Sequence, residues 1–401
     1  MAAELQPCAV GSGSHSRPGD RVQAEAAAVA ERPVSFVDES VPRLFTGPPA
    51  YVKATGRIVA IGDLHGDLQK ALQSLELAGV LEEEDGQVRW VGGDTTVVQL
   101  GDVLDRGDSE IATVLLLREL DRQARLEGGA VWMLNGNHES LNIAGDFRYV
   151  TPGAFWESAV AYGLTEAEAS NWDSQAKARL RLYSPGGAMA RELAKNPTVL
   201  VVNDLVFCHG GLLPHHIKYG LQRINDEVAL WMLGESLADG RHASPPFPAM
   251  GDSNSVMWNR TFGKERVSEY ERHHVCAQLE ITLAALNCRA MVVGHTPQMG
   301  GCNCECGGRV WRVDVGMSSG VLNADAEVLE FRKNDAGQTV VRVLHAAGAL
   351  GSYRGMPQFG AVAAEAPVCM SGDVGAKRER EPMPATAHFQ SLPADPLYLE
   401  N

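Results

Sequence analysis

The chain has 401 residues, 45% of them hydrophobic and 21% charged, enough for one large domain or two average ones with a sizeable core. Fifty acidic residues against 35 basic ones give a formal net charge of −15, which excludes a strongly basic nucleic-acid binder but leaves room for a local cationic pocket. No apolar run reaches the length of a membrane span, and eight cysteines at irregular spacing do not make a disulfide scaffold.

Proline usage divides the chain. Twelve of the 20 prolines fall in residues 1–52 and 349–401, while eight serve the 296 residues between. Both end segments lack a sustained apolar period, so neither can bury enough surface to offset its ordering entropy. Residues 1–52 and 349–401 are therefore expected to be disordered tails around a folded domain spanning 53–348. The first 35 residues have no apolar stretch of the secretory-signal kind, and Glu4, Asp20, Glu25 and Glu31 argue against an acid-poor transit peptide. A cytoplasmic protein is expected, with organelle import as the alternative.

From Arg57 onward, short apolar runs alternate with helical periods. Arg57–Ile61 is a β-branched run closed by Gly62-Asp63 and followed by Leu68, Leu72, Leu75 and Leu77 at helical spacing. Thr95–Leu100 predicts a second strand, Ile111–Leu126 a helix and Ala130–Leu134 a third strand. Thr198–Phe207 predicts a strand pair or one long strand, and Ala290–Val293 a further strand. Residues 154–195 read as mostly helical and 213–285 as mixed, both insertions bordering a site. The alternation implies an α/β architecture.

Five of these strands stop at a glycine followed by a carboxylate, an imidazole or an amide. The stops are Gly62-Asp63-Leu64-His65-Gly66, Gly101-Asp102-Val103-Leu104-Asp105-Arg106-Gly107, Gly136-Asn137-His138-Glu139, His209-Gly210-Gly211 and Gly294-His295-Thr296. Ligands of α/β folds gather beyond the carboxyl ends of strands, and glycine lets backbone approach them closely. Any one fragment alone is more often a turn than a ligand. Together, in one chain order, they supply a mixed nitrogen and oxygen donor set for one or two borderline divalent cations such as manganese, iron or zinc.

In that order, the motifs GDLHG, GDVLDRG, GNHE, HGG and GHT resemble those of the metallophosphoesterases in their phosphoprotein phosphatase version. The run His295-Thr-Pro followed by Val313-Asp-Val-Gly-Met317-Ser318-Ser319-Gly320 is similar to the Shewanella-like protein phosphatases. The resemblance covers roughly residues 53–345 and implies a four-layer α/β/β/α sandwich of two mixed sheets flanked by helices, with a helical insertion and a dinuclear metal centre. It implies that Asp63 and His65 hold the first ion, that Asp102 bridges both, and that Asn137, His209 and His295 complete the second. Manganese is the first expectation for the two divalent ions, with iron or zinc as alternatives. By the same resemblance His138 is the general acid, Asp105 orients it, Arg106 clamps the phosphate, and Arg260 of Trp258-Asn259-Arg260 matches a second phosphate-binding arginine in a more variable region. Where the common eukaryotic phosphatases carry a SAPNYCG-like loop, this chain has Val313-Asp-Val-Gly-Met-Ser-Ser, which implies weak inhibition by okadaic acid or microcystin.

The chemistry independently favours these roles. A phosphate monoester dianion repels nucleophiles, so its hydrolysis needs local positive charge and a pre-ionised attacker, here a metal-bridging hydroxide. The alkoxide of serine or threonine leaves poorly and needs a proton donor. The expected activity is therefore a metal-dependent protein phosphatase acting on phosphoserine or phosphothreonine. The alternatives are a phosphotyrosine preference, a dinucleoside tetraphosphate hydrolase, or a catalytically silent scaffold. Dinucleoside tetraphosphate hydrolases typically lack the aspartate of the DRG motif, whereas Asp105 is present here, and a silent scaffold usually lacks a ligand or the acid.

Other residues are weaker signals. Cys302, Cys304 and Cys306 leave three readings open: reduced surface thiols, a redox-sensitive disulfide with Cys276, Cys288 or another chain, or a structural zinc site. A disulfide that positions the His295 loop would make activity respond to reductant. His215-His216 and His273-His274 are expected to be exposed, and Glu82-Glu-Glu-Asp85 is expected to be a solvated turn. Glu139 is expected to support the site structurally. Trp156, Trp172 and Trp231 are expected to pack the core or cap it.

Overall fold

The computed structural model describes residues 47–84, 87–235, 245–264, 268–346 and 348–353. Most of both expected tails lies outside these residues. Two six-stranded mixed sheets form the body. The first runs in the order β1 (Tyr51–Val52), β7 (Val199–Val202), β8 (Leu205–Cys208), β9 (Ala290–Val293), β11 (Val310–Arg312) and β10 (Asn303–Glu305). The second runs β14 (Gly348–Tyr353), β13 (Thr339–His345), β12 (Glu327–Lys333), β2 (Ile58–Ile61), β5 (Thr96–Gln99) and β6 (Ala130–Met133). Thr198–Phe207 resolves into the hairpin β7–β8, turned at Asn203, which adopts φ +56°.

The folded body starts earlier and ends later than proline usage suggests. β1 pairs in parallel with β7, and β14 pairs with β13. Gly47 and Ala50 donate backbone N–H groups to Asp226 and Gln222 of a helix at Leu221–Met232, so prolines 48 and 49 sit in a docked segment. Composition registers those prolines but not the side chains that meet the backbone between them.

Strands buried on both faces explain the near-continuous apolar runs. Leu200, Val202, Leu205, Phe207 and Val292 join one core with Val59, Ile61, Val98, Val131 and Phe331 of the other sheet. Their neighbours Val199, Val201, Val206, Cys208 and Val293 form a second core with Val275, Leu279 and Leu283, which lie on the helix Glu269–Leu286. Helices α1 (Leu68–Leu77) and α2 (Glu110–Leu126) contribute Leu72, Leu75, Val114, Leu117 and Leu120 to the first core. The layers are thus helix, sheet, sheet, helix, as the resemblance implies.

The predicted insertion at 154–195 is helical: α4 (Pro152–Ala161), α5 (Glu166–Ala169), α6 (Trp172–Tyr183) and α7 (Ala188–Leu193), preceded by the short α3 (Asn137–Ile143). Trp231 is buried; Trp156 and Trp172 are 40% and 54% exposed, and the Trp172 ring caps buried Phe155 at 4.6 Å. Glu82 and Glu83 lie in β3 (Leu81–Glu84), which pairs with β4 (Gln87–Trp90) in a small separate sheet, so this part of the acidic run is strand rather than turn, while Asp85 lies outside the described residues.

Candidate metal centre and active site

All five motifs follow β2, β5, β6, β8 and β9. The first three are parallel neighbours in one sheet and the last two in the other, so their carboxyl ends deliver five loops to one place. Cross-sheet bonds close the place up. His209 Nδ1 meets Leu100 O at 2.8 Å, and His295 N–H donates to Asp63 Oδ2 at 3.1 Å. A Cβ on Gly136 would lie 2.3 Å from Asp102 Oδ1, and one on Gly294 2.4 Å from Asp63 Oδ1. Glycine at these two strand ends is therefore a condition for the carboxylates to sit where they do.

His65, Asp102, Asp105, Arg106 and His295 all adopt left-handed backbone, with φ between 47° and 69°. Such conformations cost on the order of 1–3 kcal/mol each and persist where the surroundings over-determine them. Glu139 is one reason they persist here. Its carboxylate accepts N–H groups from Asp102 (2.8 Å), Val103 (2.8 Å), Leu104 (3.1 Å) and Gly136 (2.7 Å), holding the GDVLDRG loop against the GNHE turn. Glu139→Gln should destabilise the fold by about 1–3 kcal/mol for each donor left unpaired, measured by urea unfolding. An unchanged midpoint would show that the loop holds itself.

Two buried clusters of ligating atoms result, His65–Asp102–His138 and Asp102–His209–His295, with the atoms of each within 4.8 Å of one another. Asp102 is common to both. Its Oδ2 lies 3.2 Å from His209 Nε2 and 3.8 Å from Nε2 of both His65 and His138. Asn137 Oδ1 lies 2.9 Å from His209 Nε2. Asp63 stands at the same centre, with Oδ1 4.0 Å from His209 Nδ1, but its carboxylate faces the His295 backbone and lies outside both clusters.

The donor set fits divalent cations. His209 Nδ1 is taken up by Leu100 O, and its Nε2 faces two acceptors, Asp102 Oδ2 and Asn137 Oδ1. Burial opposes a charge on the ring, but Asp102 outweighs it and raises His209 above its ordinary value, so this point attracts positive charge that a divalent cation would supply. His295 Nε2 is buried with no hydrogen-bond partner, which is costly unless something binds it. Burial holds His65 down at about 4 and, with help from His209, His295 at about 2, so both rings are neutral and able to ligate. Burial raises Asp63 well above the carboxylate range, with Asp314 and Asp102 adding repulsion that a cation would relieve.

His138, a member of the first cluster with Nε2 3.8 Å from Asp102 Oδ2, turns its Nδ1 to Asp105 Oδ2 at 2.5 Å, both side chains being buried. Burial opposes a proton on His138, but Asp102 and then Asp105 outweigh it and raise the ring above its ordinary value. Arg106 projects at the edge, its guanidinium 4.9 Å over the Tyr149 ring and its Nε without a hydrogen-bond partner. Arg260 Nη1 donates to His295 O at 2.9 Å and to Thr296 Oγ1 at 3.2 Å, which anchors it on the GHT loop.

Residues 56–299 match the calcineurin-like phosphoesterase family. Shewanella-like protein phosphatase 2 of Arabidopsis thaliana is 40% identical over 314 residues, covering 71% of this chain and 77% of that protein. The chain belongs to the calcineurin-like phosphoesterases, among the Shewanella-like protein phosphatases. Shewanella-like protein phosphatase 1 of Plasmodium berghei is 29% identical, with 67% of this chain and 68% of that protein aligned. In fold, the phosphoesterase superposes on a cold-active protein tyrosine phosphatase with a TM-score of 0.59 at 24% identity, over 77% of this chain and 81% of that one.

Of the three readings of Cys302, Cys304 and Cys306, the disulfide with Cys276 is the one present: Cys306 is bonded to Cys276 within the same chain, Cys304 is also disulfide-bonded, and Cys302 is a buried thiol rather than a surface one. The bridge ties the helix Glu269–Leu286 to the turn after β10, across 30 residues. Cys276→Ser with Cys306→Ser should lower stability by about 3–4 kcal/mol through a freer unfolded chain. Unfolding with metal content held fixed measures this, and an unchanged midpoint would contradict it. Another correction concerns His216, which is buried rather than exposed. Its Nδ1 accepts the Leu213 N–H and its Nε2 meets Asn254 O at 2.6 Å, so it serves as a helix cap.

Three buried residues of the phosphoesterase escape motif reading altogether: Glu110, Asn142 and Arg179, packed behind Asp105. They lie at no motif spacing, and Arg179 comes from the insertion. Asp314, after β11, is likewise buried beside Asp63 and reaches the site only through the sheet.

Proposed function

We propose that this phosphoesterase hydrolyses phosphoserine and phosphothreonine in proteins, with His138 as proton donor to the leaving oxygen. The observation that carries the reading is the buried Asp105–His138 pair at 2.5 Å, with His138 also at the edge of one of two metal-type clusters. An anhydride such as a dinucleoside tetraphosphate releases a good leaving group, whereas an alkoxide needs a proton delivered as the bond breaks. An imidazole kept protonated by a buried carboxylate answers the second need.

Asp63, His65, Asp102, Asn137, His209 and His295 would hold two divalent ions, manganese first among the candidates. When bound, these ions supply positive charge to the phosphoryl oxygens and an attacking water that ionises near neutrality. Arg106 and Arg260 would orient the phosphate dianion, and Asp105 would keep the His138 ring turned with Nε2 towards the reacting group. The names borne by the Arabidopsis and Plasmodium relatives support a protein substrate.

The test uses metal-stripped protein resupplied with manganese and assayed on matched phosphothreonine and phosphotyrosine peptides and on diadenosine tetraphosphate. Metal-dependent turnover of the phosphothreonine peptide above the other two is expected. Preference for the nucleotide, or no turnover under both oxidising and reducing conditions, would overturn the reading.

A further inference from the structure

The insertion α4–α7 packs behind Asp105 and brings the charged side chain of Arg179 to its neighbours Glu110 and Asn142. Arg179 of α6 is fully buried. Its guanidinium is walled by the rings of Tyr183, Phe147 and Phe155 at 4.5, 5.5 and 5.6 Å. A buried cation of this kind is tolerated only when its donors are taken up. Nη1 pairs with Glu110 Oε2 at 2.7 Å and donates to Ser158 Oγ at 3.1 Å. Nη2 and Nε donate to Asn142 Oδ1 at 2.7 and 3.2 Å.

The last contact has a directional consequence. Guanidinium carries donors and no acceptor, so it takes the carbonyl end of the Asn142 amide and excludes the flipped orientation. The amide nitrogen is thereby turned the other way, where Nδ2 donates to Asp105 Oδ1 at 3.0 Å and to His138 O at 2.9 Å. From the other side, Glu110 Oε1 accepts the Asp105 N–H at 2.6 Å while its Oε2 is held by Arg179. With backbone and Oδ1 both fixed, Asp105 has Oδ2 left for His138 Nδ1. Arg179 Nη2 also forms a buried ion pair with Asp105 Oδ1 at 3.9 Å, beyond hydrogen-bond reach, so its directional hold on Asp105 runs through its two neighbours.

We propose that Arg179 is a positioning residue for proton donation, orienting Asp105 through Asn142 and Glu110, and that the helical insertion contributes to catalysis by supplying it. This rests on the reading of His138 as the proton donor. A purely structural arginine would support all substrates alike. An arginine that acts through the proton donor matters most where the leaving group needs a proton.

The experiment compares kcat and KM of the full-length, manganese-loaded protein on a phosphoserine peptide and on 2,4-dinitrophenyl phosphate, whose phenolate leaves unprotonated. The variants are Arg179→Lys, Asn142→Leu, the charge-balanced double variant Arg179→Met with Glu110→Gln, and His138→Gln. Arg179→Lys and Asn142→Leu are expected to lose about 10- to 10²-fold in kcat on the peptide, with KM and dinitrophenyl turnover little changed. His138→Gln should show the same split, larger. If Arg179→Lys does not fold, the double variant, which leaves no unpaired buried charge, is expected to show the split. Equal losses on both substrates in the folded arginine variants, with the split preserved in His138→Gln, would overturn this inference alone. Absence of the split in His138→Gln would overturn the proton-donor reading, and this inference with it.

Discussion

Asp102→Asn is expected to cut turnover by about 10³-fold or more and to strip bound metal from the protein, while leaving the fold in place. Asp102 is the single carboxylate shared by the two clusters, with Oδ2 within 3.8 Å of imidazole nitrogens from His65, His138 and His209. Burial penalises its charge, yet His209, His138 and His65 together hold its carboxyl well below the usual carboxylate range. Asparagine keeps the shape, and with it the Oδ1 that accepts the His138 N–H at 2.9 Å. It removes the negative charge that both ions would share. Metal polarisation contributes several kcal/mol to phosphoryl transfer, and each 1.4 kcal/mol or so is about tenfold in rate. Metal content by mass spectrometry, read beside turnover on a phosphopeptide, checks the claim. Full metal content with turnover near wild type would mean that Asp102 is not the bridge.

The same residue shows why so much of this site is legible in the sequence. Asp102 follows a short apolar strand and a glycine, and so do Asp63, Asn137 and His295. A strand that must end, a glycine where backbone has to come close and a polar side chain next to it are all local properties, visible within five or six residues. The fold class is legible for a similar reason, since β2, β5, β6, β8 and β9 are short, mostly apolar runs buried on both faces, and helical periods alternate with them along the chain.

What escapes is whatever tertiary packing alone brings together. Glu110 and Asn142 look like ordinary residues of α2 and α3, and Arg179 like a charge on the outside of a polar helix. Only the folded insertion closes them round Asp105. The Cys276–Cys306 bridge was one of several pairings that spacing allowed, because it depends on a helix meeting a turn 30 residues away. β1 was hidden because two residues carry no period, and its evidence lies in β7, some 150 positions on.

His138→Gln should cost about 10²–10⁴-fold on a phosphoserine peptide, the range for loss of a general acid, and should remove the alkaline limb of the pH–rate profile. The sign follows from the role. A proton donor works while it holds its proton, so turnover falls as pH rises through the pKa of His138. Asp102 and Asp105 hold that pKa above the ordinary 6.5 despite burial in the metal-free protein. In the loaded enzyme Asp102 would share its charge with the ions, leaving Asp105, bonded at 2.5 Å, as the carboxylate still able to sustain the proton. Asp105→Asn should therefore slide the alkaline limb towards lower pH without abolishing it. The two variants separate the residue that gives the proton from the one that keeps it there. A profile whose alkaline limb survives in His138→Gln would assign the proton to another group, and an unmoved limb in Asp105→Asn would leave Asp105 a scaffold for the ring alone.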